Sequence, residues 1–275
     1  SFTEHLVDSS TDGPRTLEAV DLDADGDLDL FTSAQDDDAV NWYSNGCVAT
    51  QPPTPAPTPR PTTLQPSPVP TSQPTPRPAV VQCAGVPGFS EHIVSTEEDY
   101  AYEACAADID GDADTDLLSG GQKEVAWFAN DGTGFTKHEV DSSGTNHHDV
   151  VAADVDGDND QDIVEAGLSS DTVKLHVNDG SESYTETIIT STADGARSAS
   201  VADVDGDDDL DVLAASYGDD KVAWHENDGS ESWTEHIITT TADGAISAFA
   251  LDVDGDGSMD VLSASYSDNT VRELQ

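Results

Sequence analysis

Positive charge is what this sequence has least of: 9 Lys and Arg stand against 57 Asp and Glu, a formal charge of −48. A chain so anionic is repelled by phosphate backbones and acidic headgroups, which excludes nucleic acid and a membrane surface as main partners. No apolar run is long enough to cross a bilayer, so membrane insertion is not expected. Cysteine is sparse, and three residues are compatible with one disulfide and one free thiol. There is no Asn-x-Ser/Thr sequon, so N-glycans are not expected. Helical periodicity is missing throughout, which predicts an all-β chain. No nucleophile–base pair and no paired acid/base site can be picked out, so an enzyme is not expected. Ser1 opens directly on a repeat without an initiator Met, as expected of a processed or partial chain.

What the sequence has instead is one acidic pattern, five times over. Asp203-Val-Asp-Gly-Asp-Asp-Asp-Leu-Asp211 places a carboxylate at every second position around a glycine turn. The same pattern runs from Asp21 to Asp29, Asp108 to Asp116 and Asp154 to Asp162, and from Asp252 to Asp260 with Ser258 at the seventh position. Like charges this close repel unless a cation sits among them, and Ca²⁺ takes six to eight oxygen ligands at roughly 2.3–2.6 Å. The acidity therefore reads first as a metal requirement and second as a solubility device. Loops of modest affinity fill best where Ca²⁺ is plentiful, which points to an extracellular, cell-surface or secreted setting.

The first aspartates of the last four loops lie 46, 49 and 49 residues apart, a period that suggests propeller blades or another stacked repeat. Within the fourth unit the expected strands are 184–190, 199–202, 210–216 and 221–225. All are short, β-branched or aromatic, and bounded by turn signals such as Asn227-Asp228-Gly229.

The run Ala-Asp-Val-Asp-Gly-Asp-x-Asp-x-Asp-Val-Leu, with Lys-Val-Ala-Trp-His-Glu-Asn-Asp-Gly and Trp-Thr-Glu-His-Ile-Ile-Thr, resembles the FG-GAP/VCBS repeat family of integrin-α-like propellers. The likeness extends over 1–46 and 89–275. It implies a β-propeller of about five four-stranded blades, each with a Ca²⁺ loop between its first and second strands, up to five ions in all. By that pattern the side-chain ligands sit at loop positions one, three, five and nine. They are Asp21, Asp23, Asp25 and Asp29; Asp108, Asp110, Asp112 and Asp116; Asp154, Asp156, Asp158 and Asp162; Asp203, Asp205, Asp207 and Asp211; Asp252, Asp254, Asp256 and Asp260. Position seven offers its carbonyl. The first loop departs from the pattern, with Ala24 at the usual glycine site and Gly26 two places on. The resemblance also makes residues 2–7 the outer strand of the last blade, closing the ring.

Residues 47–88 interrupt the repeats, dividing the chain into 1–46, this insert and 89–275. Gln51-Pro-Pro-Thr-Pro-Ala-Pro-Thr-Pro-Arg-Pro and onward to Pro78 favours polyproline II, rising about 3.1 Å per residue. Roughly thirty such residues reach on the order of 90 Å. The Thr-Pro, Ser-Pro and Ala-Pro pairs resemble hydroxyproline-rich cell-wall glycoproteins. That likeness implies O-glycans, with Thr54, Thr58, Thr62, Thr63, Ser67, Thr71, Ser72 and Thr75 as candidate carriers. Cys47 and Cys83 flank the insert at the base of the hairpin it replaces, and a disulfide between them is expected in an oxidising compartment. Cys105 falls on an inner strand and reads as a buried free thiol.

Trp42, Trp127 and Trp224 share one repeat position and read as packing between blades rather than a carbohydrate platform. His5, His92, His138 and His236 share an outer-strand slot and read as structural hydrogen-bonders, lying too far apart to share a metal. His147-His148 fall seven and six residues before Asp154, where other copies have Arg15, Tyr102, Arg197 and Ile246. Loop variation is the simpler reading of that set, and a ring at one mouth of a central channel the sharper one.

Two topologies fit the insert: 1–46 folds with the rest of its own chain, or completes a neighbour's propeller. Stiff polyproline resists turning back, which favours the exchange, and an exchange that does not close generates a filament. The expected function is a structural subunit of an extracellular glycosylated fibre, a head-to-tail homopolymer of Ca²⁺-rigidified propellers. The rival is a calcium-dependent adhesion or carbohydrate-binding module.

Overall fold

A computed structural model describes residues 7, 11–26, 28–45, 89–96, 100–143, 146–230 and 232–274. The insert with its candidate glycosylation sites, Cys47, Cys83 and residues 2–6 lie outside them.

The described chain has no helix and forms five antiparallel sheets. The first joins β1 (Glu18–Val20), β2 (Asp29–Ala34), β3 (Ala39–Asn45) and β4 (Phe89–Ser95), in that order. The second is β5 (Glu103–Ala107), β6 (Asp116–Gly120), β7 (Val125–Asn130) and β8 (Phe135–Asp141). The third is β9 (His147–Ala153), β10 (Asp162–Gly167), β11 (Thr172–Asn178) and β12 (Tyr184–Thr190). The fourth is β13 (Ala196–Ala202), β14 (Asp211–Ser216), β15 (Lys221–Asn227) and β16 (Trp233–Thr239). The fifth has three strands among the described residues, β17 (Ala245–Leu251), β18 (Asp260–Ser265) and β19 (Thr270–Leu274). These meandering sheets are blade-like, one to each repeat.

The sequence explains why the sheets stack. Second strands carry apolar pairs, Leu117-Leu118, Ile163-Val164 and Val212-Leu213, every member buried. Consecutive strand residues point to opposite faces, so a doubled pair means a sheet covered on both sides. Leu117 joins a core with Phe31, Val40 and Phe128 between the first and second sheets. Leu118 turns the other way, to Trp127, Val150 and Ile163 between the second and third. Val164 and Val212 meet between the third and fourth, and Leu213 and Val261 between the fourth and fifth. First strands bring small residues, Ala104, Ala199 and Ala248, that let β5, β9, β13 and β17 pack on one another in chain order.

The first sheet spans the insert. Asn45, the last residue of β3, pairs in register with Phe89, the first of β4. Within one chain, then, the segment before the insert and the strand after it build a single sheet. At the other end the fifth sheet leaves apolar side chains in water: Phe249 is 44 % exposed, Leu251 52 % and Val271 81 %.

Candidate metal centres

Every aspartate loop connects the first and second strands of its sheet, as the family resemblance implies. Position nine is the anchor. Asp29, Asp116, Asp162 and Asp211 are fully buried, and Asp260 nearly so. One oxygen of each accepts the amide at position two, from Leu22, Ile109, Val155, Val204 and Val253 at 2.8–3.1 Å. The other oxygen, in the first four sheets, accepts the amide of Asn45, Asn130, Asn178 or Asn227 at 2.7–2.9 Å. Position one accepts the position-six amide in all five loops, as in Gly26 to Asp21 and Gly257 to Asp252.

That last bond requires left-handed backbone at positions four and six. Position four is Gly111, Gly157, Gly206 or Gly255, and Ala24 in the first loop, with φ between 56° and 81°. Position six is Gly26, Ala113, Asn159, Asp208 or Gly257, with φ between 75° and 94°. The first loop therefore keeps the geometry of its siblings. Its glycine serves the second left-handed position instead of the first.

With the backbone so held, carboxylates at positions one, three and nine converge. Asp21, Asp23 and Asp29; Asp108, Asp110 and Asp116; Asp154, Asp156 and Asp162; and Asp203, Asp205 and Asp211 each bring one oxygen within 4.8 Å of the other two. Position five lies outside these groups: Asp112, Asp158, Asp207 and Asp256 each use one oxygen to accept the position-seven amide at 2.8–3.0 Å. Burial raises the pKa of Asp116 and of Asp162 to about 6, and raises Asp110, Asp156 and Asp211, with neighbouring carboxylates adding to the effect. Asp21 Oδ1 and Asp154 Oδ1 are buried without any protein donor. An all-oxygen set this crowded, in which Asp21 and Asp154 each keep a buried oxygen without a donor, fits a hard divalent cation.

The asparagines that close the third strands were legible only as turn residues. Asn130 Nδ2 donates to Thr115 O within its own sheet and to Leu22 O of the preceding loop, at 3.0 and 2.9 Å. Asn227 likewise reaches Leu210 O and, across the sheet boundary, Val155 O. The first and third metal loops are thereby tied to the sheets after them.

The other singled-out residues also fall into place. Trp42, Trp127 and Trp224 are the register partners of His92, His138 and His236 and stack on them at 4.4 Å. Trp127 is fully buried between the second and third sheets, and Trp42 meets Phe135 of the next sheet edge-on. Cys105 is a free thiol, half-buried rather than buried, its pKa raised by burial and by Glu18. His148 stacks on Tyr102, Arg15 lies over the same Tyr102 ring, and His148 Nδ1 meets Arg197 O, so that set forms a continuous row. Burial, with Arg197 beside it, lowers the His148 pKa to about 4. His147 points elsewhere, into the third sheet, against Glu165.

The FG-GAP-like repeat model matches 108–165, 155–214 and 203–263, together more than half of the sequence. The chain belongs to the FG-GAP-like repeat family. Among curated proteins, none matches it. Among solved structures, it is similar to an Agrocybe aegerita lectin that recognises non-reducing terminal N-acetylglucosamine, with a TM-score of 0.53 and 16 % identity. The match covers 94 % of this chain and 65 % of the lectin. It is also similar to an auxiliary nutrient binding protein from Bacteroides ovatus, with a TM-score of 0.54 and 11 % identity over 96 % of this chain and 56 % of the other. The chain thus spans less than two thirds of either structure. At such identities the likeness is one of fold.

Proposed function

We propose that this FG-GAP-like repeat chain is the structural subunit of an extracellular, O-glycosylated fibre. Its five sheets are the blades of a propeller, stiffened by Ca²⁺ and strung head to tail through the polyproline segment 47–88. The observation that carries this reading is the position of the insert. It interrupts a single sheet, leaving at Asn45 and returning at the register partner Phe89. A strand pairing that forms within one chain can form with the same register between two, so β1–β3 of one copy can complete the first blade of the next. The fifth sheet, three-stranded among the described residues, takes residues 2–7 as its outer strand in this scheme.

In each loop the carboxylates at positions one, three and nine would hold the ion, with position five and the position-seven carbonyl beside them. Bound Ca²⁺ supplies the positive charge the chain lacks, and the asparagine clamps carry that rigidity from loop to neighbouring sheet. Cys47 and Cys83 would join across the first blade, between copies where the blade is exchanged. The test is electron microscopy of native material before and after chelation, with a non-reducing gel. Loss of fibres on chelation and a ladder of linked oligomers are expected. Fibres that persist without metal would overturn the role of Ca²⁺, and monomer bands alone would overturn the exchange.

A second reading, a calcium-dependent adhesion or carbohydrate-binding module, draws on the row Arg15, Tyr102, His148 and Arg197 and on the fold shared with a sugar-binding lectin. Glycan-array binding by a dispersed monomer, lost in Tyr102→Ala, would favour it.

A further inference from the structure

Four times in this chain one sheet packs on the next, and the same repeat positions do it each time. On the side facing the following sheet, Val40, Val125, Val173 and Val222 are fully buried. Leu22, Ile109 and Val155 are buried there too. Cys105 and Ser200 each donate to a first-strand carbonyl of the following sheet, Val150 O and Ala248 O. The fifth sheet repeats these three positions as Val271, Val253 and Phe249, and all three are exposed, Val271 by 81 %. Leu251, also exposed, stands where the second, third and fourth sheets have Ala107, Ala153 and Ala202.

The first sheet shows the other half. Facing the preceding sheet, Ala104, Val150, Ala199 and Ala248 are buried, as are Leu117, Ile163, Val212 and Val261. Their counterparts in the first sheet are Leu17, 68 % exposed, and Leu30, half-buried. With Pro14 and Tyr43 they line a hollow of about 380 Å³. A stack of repeats normally ends in polar faces, because a bare end sticks. Here the end positions are bulkier than their buried siblings. Phe249 stands where the second, third and fourth sheets have Cys105, Val151 and Ser200, and Leu17 where the later sheets have alanine or valine. Glu273 puts an acid on the fifth sheet's face, in the slot of Trp42, Trp127 and Trp224, and the wall of the hollow includes Arg15, of opposite charge.

We propose that this face of the fifth sheet, Phe249, Leu251, Val253 and Val271, docks on the first sheet of a second copy around Leu17, Leu30 and Tyr43. The contact continues between copies the packing that the chain makes four times within itself. Two different patches meet, so the contact is heterologous, and copies add in one direction instead of pairing off. It rests on the head-to-tail reading above and adds a second connection to it, since exchanged strands join edges and this contact joins faces. Within one chain both faces stand open, so neither serves the other there. Residues 2–7, as an outer strand, would extend an edge and leave the face uncovered. Two chains of −48 repel, so Ca²⁺ in the loops favours the contact.

The test is sedimentation velocity on the full chain with excess Ca²⁺ and a thiol reductant, which keeps disulfides out of the readout. Wild-type species should grow with concentration past the dimer. Leu17→Ala, and Phe249→Ser combined with Leu251→Ala, install residues that sibling sheets already use, so both variants should fold, as circular dichroism will check. Each should weaken association by at least ~10-fold. Mixed in equal amounts, the two should form a dimer and stop, since each keeps the face the other lacks. Association of Leu17→Ala at wild-type strength would mean that the fifth-sheet face pairs with itself, and would overturn the contact. Wild-type monomers at every concentration would also overturn it, as would association unmoved in both variants. That last outcome leaves the strand exchange standing, which the non-reducing gel tests separately.

Discussion

Single residues set the loops. Asp116 is fully buried and accepts two backbone amides, so Asp116→Ala strands both donors. A loss of about 2–4 kcal/mol is expected, measurable by denaturant unfolding in chelator, where metal affinity cannot contribute. Ala113 sits at φ 78°, a conformation glycine adopts freely. Ala113→Gly should stabilise by up to about 1 kcal/mol in the same assay, and a loss would show that the backbone there is held by something other than φ. Away from the loops, Glu103 has its pKa raised to about 8, by burial first and then by Asp149 and Glu18. Its folded value lies above its unfolded one, so the contribution to stability is complete below about pH 4.5 and is lost as pH rises toward 8. Glu103→Gln should remove that slope and raise stability at pH 8 by about 1–2 kcal/mol, read from unfolding at pH 5 and pH 8.

At the scale of elements, the repeat period made most of the fold legible. The expected strand 184–190 is β12 itself, and 210–216 and 221–225 fall on β14 and β15 with ends shifted by one or two residues. Alternation and turn residues are local signals, and five copies average out their noise. What stayed hidden depends on register. Trp127 and His138 are eleven residues apart yet directly opposed across β7 and β8, and the third sheet has Leu175 opposite Thr187 in the same place. Trp127→Leu alone should destabilise by about 2 kcal/mol. Adding His138→Thr, to recreate the third sheet's pair, should cost less than the sum of the two single changes. A double-mutant cycle in thermal unfolding reads the coupling, and strict additivity would mean the stack contributes nothing. The asparagine clamps stayed hidden because Asn-Asp-Gly is already a sufficient turn signal. The contact of His147 with Glu165 stayed hidden because the two lie eighteen residues apart on different strands.

For the whole molecule the governing quantity is charge. At −48, the metal-free chain repels itself, and five Ca²⁺ ions would remove ten of those charges. Saturating one site at a hundred times its Kd adds about 2.7 kcal/mol, so chelation should lower Tm by at least about 10 °C in low salt. At about 1 M NaCl the screening length falls to roughly 3 Å, and part of the loss should return without any metal. A Tm indifferent to chelator would exclude Ca²⁺ as the stiffening agent.

The register of Asn45 against Phe89 also decides how the first sheet meets a mechanical load. The chain departs and returns at neighbouring positions on one edge. Tension that draws those two points apart acts across the β3–β4 ladder and opens it one rung at a time, the weak direction for paired strands. Where β3 and β4 belong to different copies, the two linkers still reach the ladder at Asn45 and Phe89, the same end, so a pull along the thread peels the copies apart from that rung. The same pairing is then a zipper in either arrangement, and the rung it opens from is the one beside the insert.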